Sequence, residues 1–568
     1  MKKILLRLMF LAMLVALLPV HVAQACSAFI VGKDLTADGS TLFGRTEDYP
    51  YAPDGGRHNQ NYVVVPAKTY KDGDKIEDES NGFTYPHLAN EMKYTAVYDS
   101  DRDNGSNGNF AAHGFNELGV AMTATVSATP NDKVLKQDPL VEDGLPEASL
   151  VDLALPRAKT AREVIETVAK VLDEKGSAEG NIIVAADKNE LWYMEILSGH
   201  QYVAIKFPTN KYAVFANTYY LGHVDLNDKE NVIASKDVEE VAKKADNYKT
   251  DKDGNFMIAK SYGPDEYMER NRSRTYAGIK WMDPQAKVNY DDEAFDLLRE
   301  PTDPNKKYTV HDVIAEQRDR FETLPQYKAD DLVEVGKKID GNVYKYALGN
   351  ENVIDAHVYQ IKPNLPNAFG GVMWLGLAQS RNTPYVPFYG NVEDTYEAFK
   401  NRSTKYDGKS WYWTVWHIDQ MVMKYPEIFG NSIQEKWKAK EAEWDKEQTE
   451  RDAKYANYTD EQAKAAGPEV TKEALERSEK IFKEIKAVEA EMEEKIKKEK
   501  GKDADLVYTG YNKANLLAEA EKGKSADKAS DTKKDSSSQT TWIVIGVLVV
   551  LVGGFFGYKQ FNKKKEEE

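Results

Sequence analysis

Cys26 is the only cysteine in this 568-residue chain, and it lies in the stretch Ala23-Gln24-Ala25-Cys26-Ser27-Ala28-Phe29. Upstream, Lys2, Lys3 and Arg7 form a basic n-region and Leu11 to Val20 an apolar h-region. Ala23 and Ala25 are the small residues a signal peptidase needs at its cleavage site. A cut after Ala25 makes Cys26 the first residue, with a thiol and a free α-amine on one residue. A thiol titrates near ~8.5 and an α-amine near ~7.7–8.0, so part of the amine is unprotonated at neutral pH. It can then take the proton of its own thiol, directly or through a water, and no histidine is required. Two plainer readings compete. A lone cysteine often packs as a small hydrophobe, and a cysteine after a leader can carry a lipid. The lipid signal asks for an aliphatic residue three before the cysteine and a small one two before, which Ala23 and Gln24 match poorly.

The elements around Cys26 must bring it partners. Ser27 to Gly32 and Thr41 to Arg45 read as two strands joined by a turn-rich connection, a hairpin. Its closure returns Arg45 and Asp48 toward Cys26. A cation beside a thiol favours the thiolate, and a carboxylate can orient an amine; the plain alternative is an exposed Arg–Asp pair, worth little. Four apolar runs, 181–186, 191–197, 201–207 and 212–217, are spaced as an antiparallel meander. Asn217 ends the last one, where its amide either points into a site or caps a strand. Arg270, Arg272 and Arg274 form a basic cluster that could meet a substrate carboxylate or brace acidic neighbours.

Further along, 160–176 reads as an amphipathic helix, with Thr160 and Glu163 as a capping box and Gly176 as its stop. The segment 309–324 also reads as helical. The aromatic segment 370–389, with Trp374, suits a pocket lining or a core. From about Asn431 the chain turns charged. Trp437 and Trp444 share a helix face, Thr459 and Gln462 make another capping box, and Ile481, Ile485, Val488, Met492 and Ile496 form a narrow apolar stripe. These are helices packed on something, or a stalk. A Lys, Ser, Asp and Ala linker leads to the uncharged run Trp542–Tyr558, at the short end of a membrane span of about 20 residues. The lysines after it place the C-terminus in the cytoplasm and the body outside. The expected division is a signal peptide 1–25, a catalytic domain 26–430, a charged helical extension 431–520, a linker 521–541, a transmembrane helix 542–558 and a cytoplasmic tail 559–568.

The totals exclude several classes. A net charge of −17 argues against nucleic acid as a partner. One cysteine excludes an intramolecular disulfide and any CxxC motif. The Asp99, Asp101 and Asp103 loop lacks the Gly and Glu of an EF-hand, having Asn104 and Phe110 there, and reads as a solvated turn. HExxH, P-loop and GxSxG motifs are missing, and the nine histidines are scattered without ligand spacing, so neither a metal nor another cofactor is expected.

The block Cys26-Ser-Ala-Phe-Ile-Val-Gly-Lys-Asp34, with Asp38-Gly-Ser-Thr41 and Arg45-Thr-Glu-Asp48, resembles the start of the C69 family dipeptidases. These are N-terminal-nucleophile hydrolases, related to penicillin V acylase and the bile salt hydrolases. Asn116-Glu-Leu-Gly-Val120, Trp192-Tyr-Met-Glu195 with Ser198-Gly-His200, Asn217, Trp374 and Tyr385-Val-Pro-Phe-Tyr389 extend the resemblance to about Trp444. It implies an α+β fold, an αββα sandwich of antiparallel sheets, and hydrolysis of the peptide bond of dipeptides. Carried over, Cys26 is the nucleophile and its amine the base, with Arg45 and Asp48 holding thiolate and amine. Asn217 donates to the oxyanion, helped by a backbone N–H near Thr123 to Thr125. Arg274 matches a further family arginine, with Arg272 near enough to leave the register open. The leader, charged helices and anchor depart from the common pattern, since many relatives are cytoplasmic. Small peptides are the expected substrates, at the outer face of a cell membrane crossed once. A homo-oligomer stays open, as do an N-acyl amide hydrolase of the same fold and a non-enzymatic surface lipoprotein.

Overall fold

A computed structural model describes residues 26–49, 58–100, 107–124, 126–322, 338–339, 342–343 and 346–507. The expected leader, the anchor with its linker and tail, Thr125 and the tip of the 99–109 loop lie outside these residues. Among the described residues no helix is long and apolar enough to cross a membrane.

Two antiparallel sheets face each other. The six-stranded sheet runs, edge to edge, through Tyr212–Phe215, Ser27–Val31, Thr41–Asp48, Val353–Ile361, Val372–Leu377 and Val386–Tyr389. The eight-stranded sheet runs through Val232–Ala234, Tyr202–Lys206, Leu191–Ile196, Asn181–Ala186, Ala121–Ala124, Asn107–Phe115, Tyr94–Ser100 and Asn59–Val65. Their inner faces meet in one apolar core, with Phe115 of one sheet edge-on to Tyr359 of the other at 4.7 Å. Helices Glu269–Met282 and Val310–Gln317 cover the outer face of the first sheet, and Leu150–Ala154 and Ala161–Lys175 that of the second. The order is αββα, as expected.

The hairpin forms as read, with Ala28 opposite Arg45. The meander is corrected. Its first three strands are neighbours, but Tyr212–Phe215 crosses to the other sheet and pairs with Ser27–Val31. Pro208 sits just after the third strand and has no N–H to continue a ladder. Beyond it, the carbonyls of Thr209 and Lys211 accept from Asp34 and Gly32 of the hairpin. This crossing decides where Asn217 goes.

The helix Ala161–Lys175 buries Val164, Ile165, Val168, Val171 and Leu172, the expected stripe. Its capping box is half made. Thr160 accepts from the Glu163 N–H, while the Glu163 carboxylate takes the Lys159 N–H instead of that of Thr160. The helix expected over 309–324 stops at Gln317, because Arg318 turns its guanidinium to grip both oxygens of Glu441. Trp374 is buried, so the aromatic segment is core. Helices Ser432–Tyr455 and Gly467–Lys500 bury Trp437, Trp444 and the whole Ile481–Ile496 stripe in the same core as the sheets. The capping box of Thr459 and Gln462 is complete.

Candidate active site

Four neighbouring strands carry polar groups in one row. Ala28 is opposite Phe215 on one side and Arg45 on the other, and Arg45 is opposite His357. Paired residues share a face, and so do residues two apart along a strand. Cys26, Arg45, Glu47, Asp355 and His357 therefore lie on one side of the sheet, toward its partner, and Asn217 follows two residues after Phe215. Asp355 is opposite Glu47 in the same regular register, and a bulge just beyond it skips Ile354 and puts Val353 opposite Asp48. Gly44 permits this closeness, since a Cβ there would lie 2.0 Å from the His357 carbonyl oxygen.

The Cys26 side chain is 0% exposed. Arg45 places Nη1 3.7 Å from its Sγ and Nη2 2.9 Å from Glu47 Oε2. Asp48 is buried beside this row, and its Oδ2 accepts from Asn350 at 2.7 Å. The Cys26 nitrogen donates to Asn217 Oδ1 at 2.8 Å. In the full-length chain this nitrogen is the peptide N–H following Ala25, and it stands where the α-amine would stand after a cut. Asn217 gives one amide hydrogen to the Ser127 carbonyl at 2.9 Å. The side chain expected to face an oxyanion thus uses its oxygen on the cysteine nitrogen, with only one of its two amide hydrogens taken.

Of the three arginines, Arg274 is the one placed at Cys26. It is buried, and its Nη1 donates to the Cys26 carbonyl and to Ser27 Oγ at 3.1 Å. Its Nη2 donates to Asn217 Oδ1 at 2.8 Å and Asn271 Oδ1 at 2.9 Å. Arg272 points elsewhere, to the carbonyls of Tyr290 and Asp292, and Arg270 reaches Met268. Asn271 also fixes the Asn217 backbone carbonyl at 2.6 Å. Glu195 of the Trp-Tyr-Met-Glu run holds the following turn by accepting from the N–H groups of Tyr220 and Leu221.

Burial pushes the thiol up to about 12; Arg45 pulls it down, and the negative charges of Glu47, Asp48 and Glu147 push it further up. Burial also works against the charge on Arg45, but Glu47, the thiol and Asp355 outweigh it and hold the guanidinium charged. Burial raises Glu47 well above the usual carboxylate range. So the full-length chain encloses a protonated thiol beside a fixed cation.

Three residues that looked scattered converge next to this row. His113, Asp355 and His357 are the one described group with metal-ligand spacing. Asp355 Oδ2 faces His357 Nδ1 at 3.0 Å and His113 Nε2 at 3.2 Å. His357 Nε2 meets Thr123 Oγ1 at 3.0 Å, and His113 Nδ1 meets the Tyr359 hydroxyl at 2.7 Å. The two rings stack with centroids 3.6 Å apart and planes 22° from parallel, so their nitrogen lone pairs run side by side. Three of the four ring nitrogens are hydrogen-bonded, and His113 Nε2 stands at ion-pair distance from Asp355 without hydrogen-bond geometry. The group is a hydrogen-bonded array. No spacing in the sequence announces it, because it joins strands of two sheets.

The family model described as Peptidase family C69 matches residues 25–478. The chain belongs to peptidase family C69. Among relatives, a protein named "Probable dipeptidase B" from Streptococcus pyogenes serotype M1 is 48% identical over 486 residues, covering 84% of this chain and 95% of that protein. A "Probable dipeptidase" from Latilactobacillus sakei is 32% identical over 393 residues, covering 69% and 79%. Among solved structures, a mutant conjugated bile acid hydrolase from Clostridium perfringens aligns at 14% identity with a TM-score of 0.24. It covers 62% of this chain and 89% of that one, a likeness that carries no argument. The C69 match begins next to Cys26, so every residue of the row lies inside it.

Proposed function

We propose that the protein is a cysteine-type dipeptidase, exported and anchored by its C-terminal segment 542–558, in which removal of residues 1–25 makes Cys26 an N-terminal nucleophile. The observation that carries this is the grip on both reactive atoms of one residue: Arg45 at the thiol, Asn217 at the nitrogen. Family membership and the dipeptidase-named relatives support the activity.

The chemistry follows from the geometry. In the uncut chain the Cys26 nitrogen is an amide and cannot act as a base, and burial keeps the thiol protonated. A cut supplies a free amine at that position. The amine takes the thiol proton, and the sulfur attacks the carbonyl carbon of the first substrate residue. Arg45 stabilises the thiolate, and Asn217 and Arg274 orient the amine. The free amide hydrogen of Asn217, with a backbone N–H of the 123–125 stretch, serves the oxyanion. Collapse breaks the C–N bond, and the ammonium returns its proton to the leaving amine. Water then hydrolyses the thioester, releasing the first amino acid and restoring the thiol. The carboxyl groups of Asp48 and Glu147 near the thiol favour a substrate with a free α-ammonium, as a dipeptide has, over a neutral acyl amide.

N-terminal sequencing and intact mass of the active protein, with a panel of dipeptides and acyl amides, test the reading. The expected mature chain starts at Cys26 with a free amine and cleaves dipeptides, and Cys26→Ala lowers kcat/KM by about a thousandfold or more. A lipid on Cys26, or full activity in a chain that keeps its first residues, overturns it.

A further inference from the structure

The mechanism above makes no use of the buried His113–Asp355–His357 array. All three side chains are 0% exposed, as is Tyr359, and Thr123 is 4% exposed. Burying a carboxylate and two imidazoles costs several kcal/mol per ion unless every group is paired, and an apolar filling would cost less. The pairing here fixes both tautomers. Burial, the largest cause, lowers both histidines, and Asp355 is lowered against its own burial because the two rings beside it favour the ionised carboxylate. An ionised carboxylate only accepts, so His357 carries its proton on Nδ1 and His113 on Nε2. His357 Nε2 is then an acceptor, and the Thr123 hydroxyl donates to it across the gap between the sheets.

Thr123 belongs to a segment pinned at two points. Four residues on, the Ser127 carbonyl accepts from Asn217, and Ser127 Oγ donates to Glu147 at 3.0 Å. Thr123 thus meets the nucleophile's sheet through His357, and Ser127 meets it through Asn217. His357 is in turn the cross-strand neighbour of Arg45, whose guanidinium touches the thiol.

We propose that His357 is a positioning residue for this hydrolysis: oriented by Asp355, it holds the Thr123 hydroxyl and so sets the distance between the strand Ala121–Ala124 and Cys26. The inference rests on the nucleophile reading given above. It assigns no proton transfer to His357. Its effect is geometric, and a misplacement of about 1 Å at such a strand costs on the order of 100-fold in rate.

Three variants separate the two hydrogen bonds of the ring. Thr123→Val removes the hydroxyl at equal shape. His357→Asn keeps a donor for Asp355 but falls short of Thr123. His357→Gln carries an acceptor out to the Nε2 position. Rates are taken per Cys26 thiol in protein whose folded fraction is first fixed by circular dichroism, because an unfolded chain also alkylates. We expect Thr123→Val and His357→Asn each to lower kcat by about 100-fold with KM within about threefold. The double variant should be no slower than either single one, because both break the same link. His357→Gln should recover at least about tenfold over His357→Asn. Unchanged kcat per thiol in Thr123→Val and His357→Asn overturns the proposal, and so does a loss that appears only in thermal stability. Cys26→Ala, run alongside, keeps the two ideas apart. Activity that survives it sinks the nucleophile, whereas activity that needs Cys26 but ignores Thr123 and His357 sinks the pin alone.

Discussion

The two faces of the eight-stranded sheet are both buried, yet they are filled with different chemistry. On the outer face Ile183, Ala185, Trp192 and Met194 meet Val164, Ile165, Val168 and Leu172 of the covering helix, and Asp152 is held there by the Tyr94 and Tyr98 hydroxyls. On the inner face the same strands offer His113, Thr123 and Glu195 to a facing sheet that carries Cys26, Arg45, Glu47 and Asp355. Alternation along a strand lets one backbone serve both purposes. The outer face gains free energy by removing apolar surface from water, roughly 25 cal/mol per Å². The inner face spends free energy on dehydrated charges and obtains a fixed field around one sulfur. Stability and chemistry are thus divided between the two faces of one sheet.

Substitutions on either face can break that division. The largest effect is expected for Arg45→Met. It removes the cation that pulls the thiol down, so kcat/KM should fall by about 100-fold or more and the pH profile of thiol alkylation should move upward. Removing one partner of a buried pair ordinarily costs about 3–5 kcal/mol, part of which Glu47 can escape by taking a proton. An alkylation profile that stays in place would mean that Arg45 does not act on the sulfur. Leu172→Ala on the outer face should cost about 2–5 kcal/mol in urea denaturation and leave kcat/KM within about twofold. A parallel loss of turnover would show that the two faces are coupled.

The smallest effect is in the acid limb of stability. Burial lowers His357 to about 3 in the fold, against about 6.5 for a free imidazole. As pH falls through about 6.5, the unfolded chain takes a proton that the folded one refuses. The stability His357 contributes is therefore present above about pH 6.5 and is lost as pH falls toward 3, at up to about 1.4 kcal/mol per unit. Urea midpoints of the wild type and His357→Gln should draw together over that range. A gap independent of pH would place a charged imidazole in the fold.

What the sequence discloses is local. The hairpin, the amphipathic helix at 161–175 and the buried stripe from Ile481 to Ile496 follow from periodicity and caps, which act within a few residues. Glu47 as the partner of Arg45 was also legible, since residues two apart on a strand share a face; the reading of Arg45 with Asp48 passed over that rule. The sheet change at Tyr212–Phe215 was not, because Pro208 says only that a ladder ends and not where the chain goes next. Nor was the array of His113, Asp355 and His357, because His113 joins the other two only through the facing of two sheets. The choice of Arg274 over Arg272 waited on the rotation of their helix, which turns one toward Cys26 and the other toward Tyr290.

The strand after Cys26 has a neighbour on each side, and the second arrives late. Cys26 and Asn217 are 191 positions apart, and Arg274 is 247 from Ser27. A chain made from its N-terminus presents its sulfur long before it presents the groups that confine it. Contacts of such long range close slowly, after the loop entropy between them has been overcome. The groups around the sulfur are therefore assembled late, and completion of the site is a closing event of folding.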